Sequence, residues 1–327
     1  MEYLAEYGVF LAKMATLLVA VLIVLAAIFS RLHRAQGEIP SPGSLEVRKL
    51  NDDYRRAAMT IKAAMLPAKQ FKIERKADKA RRKQQSAEDR RRLWVLDFHG
   101  DIRASALIGL REEITALLTT ASEQDEVLVR LESGGGQVHA YGLAAAQLIR
   151  IRDRNIRLTV SVDKMAASGG YMMACVADRI LAAPFAILGS IGVIAQLPNF
   201  NRWLKDKDID YEQFMAGEHK RTVTLFGENS AEGREKFQQE IEDVHLLFKE
   251  FVSTHRPQVD LKKVATGEHW FGTRAIEHKL ADELTTSDDY LLKASREADI
   301  FHLSWTGKKP WLTRMLSQTA DALISGR

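Results

Sequence analysis

Cysteine is almost missing from these 327 residues: Cys175 stands alone. No disulfide can form within the chain, so a packed core must hold it together. No histidine occurs between His139 and His219, and no His/Glu or Cys spacing of the zinc type is present, so no metal centre is expected. The dinucleotide fingerprint and the phosphate-binding loop are both missing, which removes support for nucleotide binding. No repeat of solenoid period is evident either. Basic residues are absent before Lys13. The net charge of +4 comes from an excess concentrated before residue 93 and says little about the rest.

What is present begins with residues 9–29, apolar apart from Lys13 and Thr16 and long enough to cross a hydrocarbon core of about 30 Å as a helix. The start is acidic (Glu2, Glu6) and the exit is Ser30-Arg31-Leu32-His33-Arg34. A cleavable signal would start basic and leave through small residues, so a retained single-pass anchor is expected over residues 1–30. Arg31, Arg34, Arg48 and Lys49 follow it, a bias that favours a cytoplasmic catalytic part. Residues 31–92 read as a basic, largely helical linker whose end, residues 69–92, sets eleven basic residues against four acidic ones. A solvated face is the plain reading, and contact with anionic lipid headgroups the sharper one. With Phe71 as its single aromatic residue, nucleic-acid binding is not expected.

From residue 93 the apolar pattern alternates. Residues 93–98, 126–131 and 157–162 read as strands, with helices over 106–120 and 138–152, the mark of right-handed crossovers in an α/β core. A catalytic domain over 93–300 and an amphipathic tail over 301–327 complete the division. That tail could pack on its own domain, join subunits or touch membrane. Five small residues, Ala166 to Gly170, then follow a strand-like run and precede a helix-like one. A serine at that junction, Ser168, has open backbone N–H groups beside it, which suit negative charge developing at a carbonyl. It also suits the role of a simple helix N-cap. Cys175, in the apolar helix that follows, is expected to be a buried structural thiol. The glycine-rich stretch ESGGGQVHAYG, residues 132–142, could aim N–H groups into a cleft. The serine needs a neighbour to take its proton; histidine is the usual candidate and a lysine held at low pKa the other common one, and the residues alone do not choose among the lysines.

DKMAASGGYMMACVAD, residues 163–178, followed by GSIGV, residues 189–193, closely resembles the nucleophile region of the signal peptide peptidase A family of membrane-bound serine peptidases. The resemblance extends over residues 93–284. It implies a ClpP/crotonase-like spiral core, with Ser168 as nucleophile and the N–H groups of Gly135 and Gly169 as the oxyanion hole. Glu132 and Gly134 depart from the Asn-Ser-Pro-Gly-Gly of related loops. The segment FMAGEHKRTVTLFGENS, residues 214–230, implies Lys220 as general base, with His219 non-catalytic, and Ser190 matches a serine that orients the lysine. A peptide or protein substrate, an acyl-enzyme and no cofactor follow. So do a place in the bacterial inner membrane and a homo-oligomer whose serine and lysine meet across subunits. Members often act on the outer membrane face, which leaves the orientation open. The rivals are a crotonase-type acyl-CoA enzyme and a catalytically silent membrane scaffold.

Overall fold

The computed structural model describes residues 13–19, 43–85 and 90–307. The expected anchor and most of the C-terminal tail therefore lie outside the described residues, among which no helix is long and apolar enough to cross a membrane. Strand β1 (Ser44–Lys49) leads into helices α1 (Leu50–Met65) and α2 (Ala68–Gln85). The alternating region follows as β2 (Arg92–Gly100), α3 (Leu107–Leu118), β3 (Glu126–Ser133), α4 (Val138–Arg152) and β4 (Arg157–Val162). All five match the periodicity reading, and α4 and β4 match it residue for residue. Next come β5 (Met165–Ala167), α5 (Gly169–Ala174), β6 (Arg179–Ala182), β7 (Ile187–Gly189) and α6 (Asn201–Lys205). The remainder is α7 (Ala231–His255), α8 (Leu261–Val264), β8 (His269–Phe271), α9 (Gly272–Glu277), β9 (Glu283–Leu284), α10 (Ser287–Ala294) and β10 (Asp299–Thr306).

One mixed sheet organises Leu45–Trp305 in the order β1-β10-β2-β3-β4-β6-β9. Strands β10 through β9 along this path pair in parallel. Parallel strands are buried on both faces, and β2 shows how a continuous apolar run serves that. Trp94, Leu96 and Phe98 enter one layer with Ile114, Tyr141 and Leu148. Leu93 and Val95 point to the other, with Leu128, Leu291 and Ile300. The period of two thus fills two cores at once.

Both ends of the unit reach further than the sequence suggested. β1 pairs with β10, Leu50 and Tyr54 pack on the second core layer, and Asn51 accepts from the Ile300 N–H at 2.7 Å. The first part of the stretch read as linker is therefore built into the sheet edge. β10 in turn runs past residue 300 because Ile300 and Leu303 are buried and the Trp305 N–H donates to Glu113 at 2.7 Å. His302 and Arg130 grip Asp97 at 3.0 Å and 2.6 Å. Burial alone would raise the Asp97 carboxyl, but these donors outweigh it and hold it down at about 2.

Arg256, 2% exposed at the end of α7, forks onto Asp282 through two 2.9 Å contacts and donates to the Lys279 carbonyl at 2.8 Å. Asp282 also accepts from the Ile180 N–H at 2.7 Å, so this ion pair ties the long helix to β6. Arg256 is the buried partner while Asp282 reaches solvent, so Arg256→Ala mainly removes charge-assisted hydrogen bonds and packing and is expected to cost about 2–3 kcal/mol. A urea melt should show a lower midpoint at unchanged slope; an unshifted midpoint contradicts this.

Candidate active site

Three parallel strand ends meet at one place. The sheet divides at β3, whose body pairs with β4 while its last residue, Ser133, pairs with Ala166 of β5. β5 pairs along its other side with β7, setting Ala167 beside Gly189. The residues just past these strands are Gly134 to Gly136, Ser168 and Ser190. A crevice at the carboxyl ends of parallel strands is where α/β folds place ligands.

Ser168 joins β5 to α5 with φ 53° and ψ −119°. A non-glycine residue in such a conformation costs of order 1–3 kcal/mol and persists only where its surroundings impose it. The Ser168 N–H donates to the Gly189 carbonyl at 2.8 Å, and its own carbonyl accepts from the Met172 N–H at 2.9 Å. Its hydroxyl makes no capping hydrogen bond. The simple N-cap reading therefore loses its support, and the hydroxyl is left for the crevice.

Small residues are required around it. Gly135 has φ +88°, and a Cβ there would lie 2.7 Å from the Gly169 nitrogen and 2.8 Å from the Ser168 Cβ. A Cβ on Gly169 would strike the Tyr141 ring at 2.5 Å, and one on Gly136 the Ile102 carbonyl oxygen at 2.1 Å. The Gly169 N–H, first in its helix, has no acceptor among the described residues. The Gly135 N–H does have one: it donates to Ser133 Oγ at 3.0 Å. In this conformation that N–H, which the resemblance gives to the oxyanion hole, is engaged by Ser133, whereas the Gly136 N–H is without an acceptor among the described residues.

Behind the glycine loop stands a relay the sequence did not single out. Gly135 N–H donates to Ser133 Oγ, the Ser133 hydroxyl lies 2.5 Å from Tyr141 Oη, and the Tyr141 hydroxyl donates to the Asp101 carbonyl at 2.7 Å. Tyr141 is fully buried, and Gly100 makes room for it, since a Cβ there would come within 2.4 Å of its oxygen. No local motif marks Tyr141, because its partners arrive from β2 and β3. Tyr141→Phe should lower kcat roughly 10- to 100-fold through a misplaced glycine loop while leaving KM within a small factor. Steady-state kinetics on one peptide checks it, and an unchanged kcat contradicts it.

A cavity of about 480 Å³ opens at this point. Ser168 and Ser190 both line it, with Gly134, Gly135, Gly136 and Gly169 on the loop side. Its apolar wall is Val138, Met172, Val193 and Ile194, closed by Val244 and Phe248 from α7. Ser190 also has a left-handed backbone, φ 51°, and its N–H donates to the Glu268 carbonyl at 2.7 Å. Lys220 does not line this cavity. It is exposed between α6 and α7, its N–H donating to the Gly217 carbonyl at 3.2 Å, with His219 exposed beside it. Lys164 is held by Glu132 at 3.0 Å and faces another cleft, shared with Asp97 and Arg130. Cys175 is buried, as expected, with its thiol donating to the Met172 carbonyl at 3.2 Å; burial pushes that thiol well above its usual range. Among the described residues no group of three His, Cys, Asp or Glu side chains could hold a metal ion.

Residues 2–148 match the family described as Peptidase family S49 N-terminal, and residues 150–300 that described as Peptidase family S49. A protein of Haemophilus influenzae named "Probable protease SohB" is 44% identical over 338 residues, spanning 99% of this chain and 95% of its own. Its namesake in Buchnera aphidicola subsp. Schlechtendalia chinensis is 45% identical, over 89% of this chain and 99% of its own. A solved structure of a membrane-bound stomatin-specific protease aligns with a TM-score of 0.43 at 13% identity, over 66% of this chain and 98% of that one. It is too distant for residue roles to be carried across. The relatives are matched along nearly the whole sequence, and the chain belongs to peptidase family S49.

Proposed function

We propose that this peptidase is a serine endopeptidase in which Ser168 is the nucleophile and Lys220 the general base, on a ClpP/crotonase-like spiral core. The observation that carries the reading is the Ser168 junction itself: a hydroxyl with no structural bond, on a left-handed backbone, beside the open Gly169 N–H in a cavity. Lys220 takes the hydroxyl proton as Ser168 Oγ bonds to a peptide carbonyl carbon. The oxyanion is held by the Gly169 N–H and a second N–H from the glycine loop. Gly135 can supply it once its peptide turns away from Ser133. Collapse breaks the C–N bond, the lysine proton goes to the leaving amine, and an acyl-enzyme remains. Lysine then takes a proton from water as its oxygen bonds to the acyl carbon; the C–Oγ bond breaks, the proton returns from lysine to Ser168 Oγ, and the carboxylate leaves. Ser190 orients the lysine, and no cofactor enters.

Lys220 is exposed and does not line its own chain's cavity, and a second copy of the chain supplies it in this reading. Large exposed apolar side chains support such a covering: Ile194, on the cavity wall, is 78% exposed, and Phe214, on the segment that carries Lys220, is 90% exposed. The open, partly apolar cavity suits short, extended or unfolded peptides, signal-peptide remnants among them. The anchor over residues 9–29 holds the chain in a bacterial inner membrane by a single pass, its catalytic part cytoplasmic by charge bias. The test is to offer the purified full chain an unfolded polypeptide and, separately, an acyl-CoA thioester. Cleavage of the polypeptide alone is expected. Turnover of the thioester alone overturns the reading in favour of a crotonase-type enzyme, and turnover of neither favours a silent scaffold.

A further inference from the structure

Helix α2 carries its charge in a pattern. At 100° per residue, Lys69, Lys72, Arg75, Lys76, Lys79 and Arg82 fall within one arc of about 140°. All six are exposed. The acidic residues of the helix lie outside the arc, half-buried against α1 and already neutralised. Glu74 takes Lys62 and Arg81, and Asp78 takes Arg55 at 3.8 Å. None of the six stripe residues has an acidic partner among the described residues. With Arg55 of α1, five of them line a groove of about 490 Å³.

Such a stripe has a specific shape. An 18-residue helix is about 27 Å long, so its cations form a straight row rather than a point. Apolar groups border it: Ile73 is 65% exposed at the edge of the arc, and Met65, where α1 ends at the hairpin turn, is 74% exposed. A straight basic row edged by aliphatic side chains fits the plane where phosphates meet acyl chains. It lacks the aromatic platforms that stack nucleobases. Only 14 residues, 30–43, separate the end of the apolar run from β1, a span of at most about 50 Å, so the unit that carries the hairpin stays near any bilayer that holds that run. We propose that the α1–α2 hairpin docks on the anionic phospholipid headgroups of the bilayer. The proposal rests on the anchor reading given above and adds a second, charge-dependent attachment for the peptidase unit.

The full chain, incorporated in nanodiscs of phosphatidylcholine alone or with phosphatidylglycerol, provides the test through amide hydrogen exchange of residues 68–82. Exchange is expected to slow at least about 10-fold in the anionic discs at low salt and to recover at about 1 M salt, where the Debye length is about 3 Å. The variant Lys72→Gln/Arg75→Gln/Lys76→Gln/Lys79→Gln should still enter both discs and lose the protection, with exchange in β2–β4 unchanged. Equal exchange in the two discs for incorporated wild type overturns the docking and leaves the anchor standing. Failure to enter either disc overturns both. Protection conferred by added RNA but not by anionic lipid overturns the proposal in favour of nucleic acid.

Discussion

Ser168→Ala is expected to remove peptidase activity by a factor of at least about 10³ while leaving the fold intact. The two halves of that expectation have separate grounds. The hydroxyl makes no capping bond, so its removal takes no cap from α5. The backbone bonds that fix φ at this residue run through its N–H and carbonyl, which alanine keeps. Ser190 shares the cavity, but a coil rather than a helix follows it, and its N–H is committed to Glu268. It is therefore not expected to rescue catalysis. Full activity in Ser168→Ala, with an unshifted melt, contradicts the assignment.

Lys220→Ala should lose activity on a similar scale, about 10²–10⁴-fold, the range for removing a general base. Lys220→Arg should fare no better, because a guanidinium stays protonated and cannot accept the serine proton. The location of Lys220 makes a sharper expectation possible. It lies on an exposed segment outside its own chain's cavity. If a neighbouring copy completes each site, an equal mixture of Ser168→Ala and Lys220→Ala chains regains activity, with roughly one site in four intact in a closed head-to-tail ring. Mixing after dissociation and reassembly, followed by a peptide assay, measures it. No recovery in verified mixed oligomers contradicts a shared site and points to closure of residues 206–230 over the cavity of the same chain.

The alternation of strand and helix was legible because its periods are local. β4 and α4 are bounded by the residues that the pattern names, and β2 reads as an uninterrupted apolar run because it feeds two core layers. The place of Ser168 was legible too, since five small residues between a strand and a helix leave little else for the chain to build. The rest depends on partners that are distant in sequence. Nothing near Tyr141 announces that its hydroxyl completes a relay from Gly135 to Asp101. Nothing near Leu45 shows that the stretch after the break becomes an edge strand, because the decisive contacts, such as Asn51 with Ile300, span 249 residues. The Gly135 N–H was assigned to the crevice by resemblance. Its engagement with Ser133 depends on which way one peptide plane faces, a choice that residue types do not specify. The strip of charge along α2 was visible as composition, but only the helix sorts six cations without an acidic partner among the described residues from the pairs that neutralise Glu74 and Asp78.

The most direct test of the central claim is covalent labelling of the full chain in detergent by a fluorophosphonate, read by intact mass and then by peptide mapping. The account predicts one adduct per chain, on the peptide that carries Ser168, missing from Ser168→Ala and strongly reduced in Lys220→Ala although both remain folded. An adduct mapped to another residue, or equal labelling of wild type and Ser168→Ala, would contradict it.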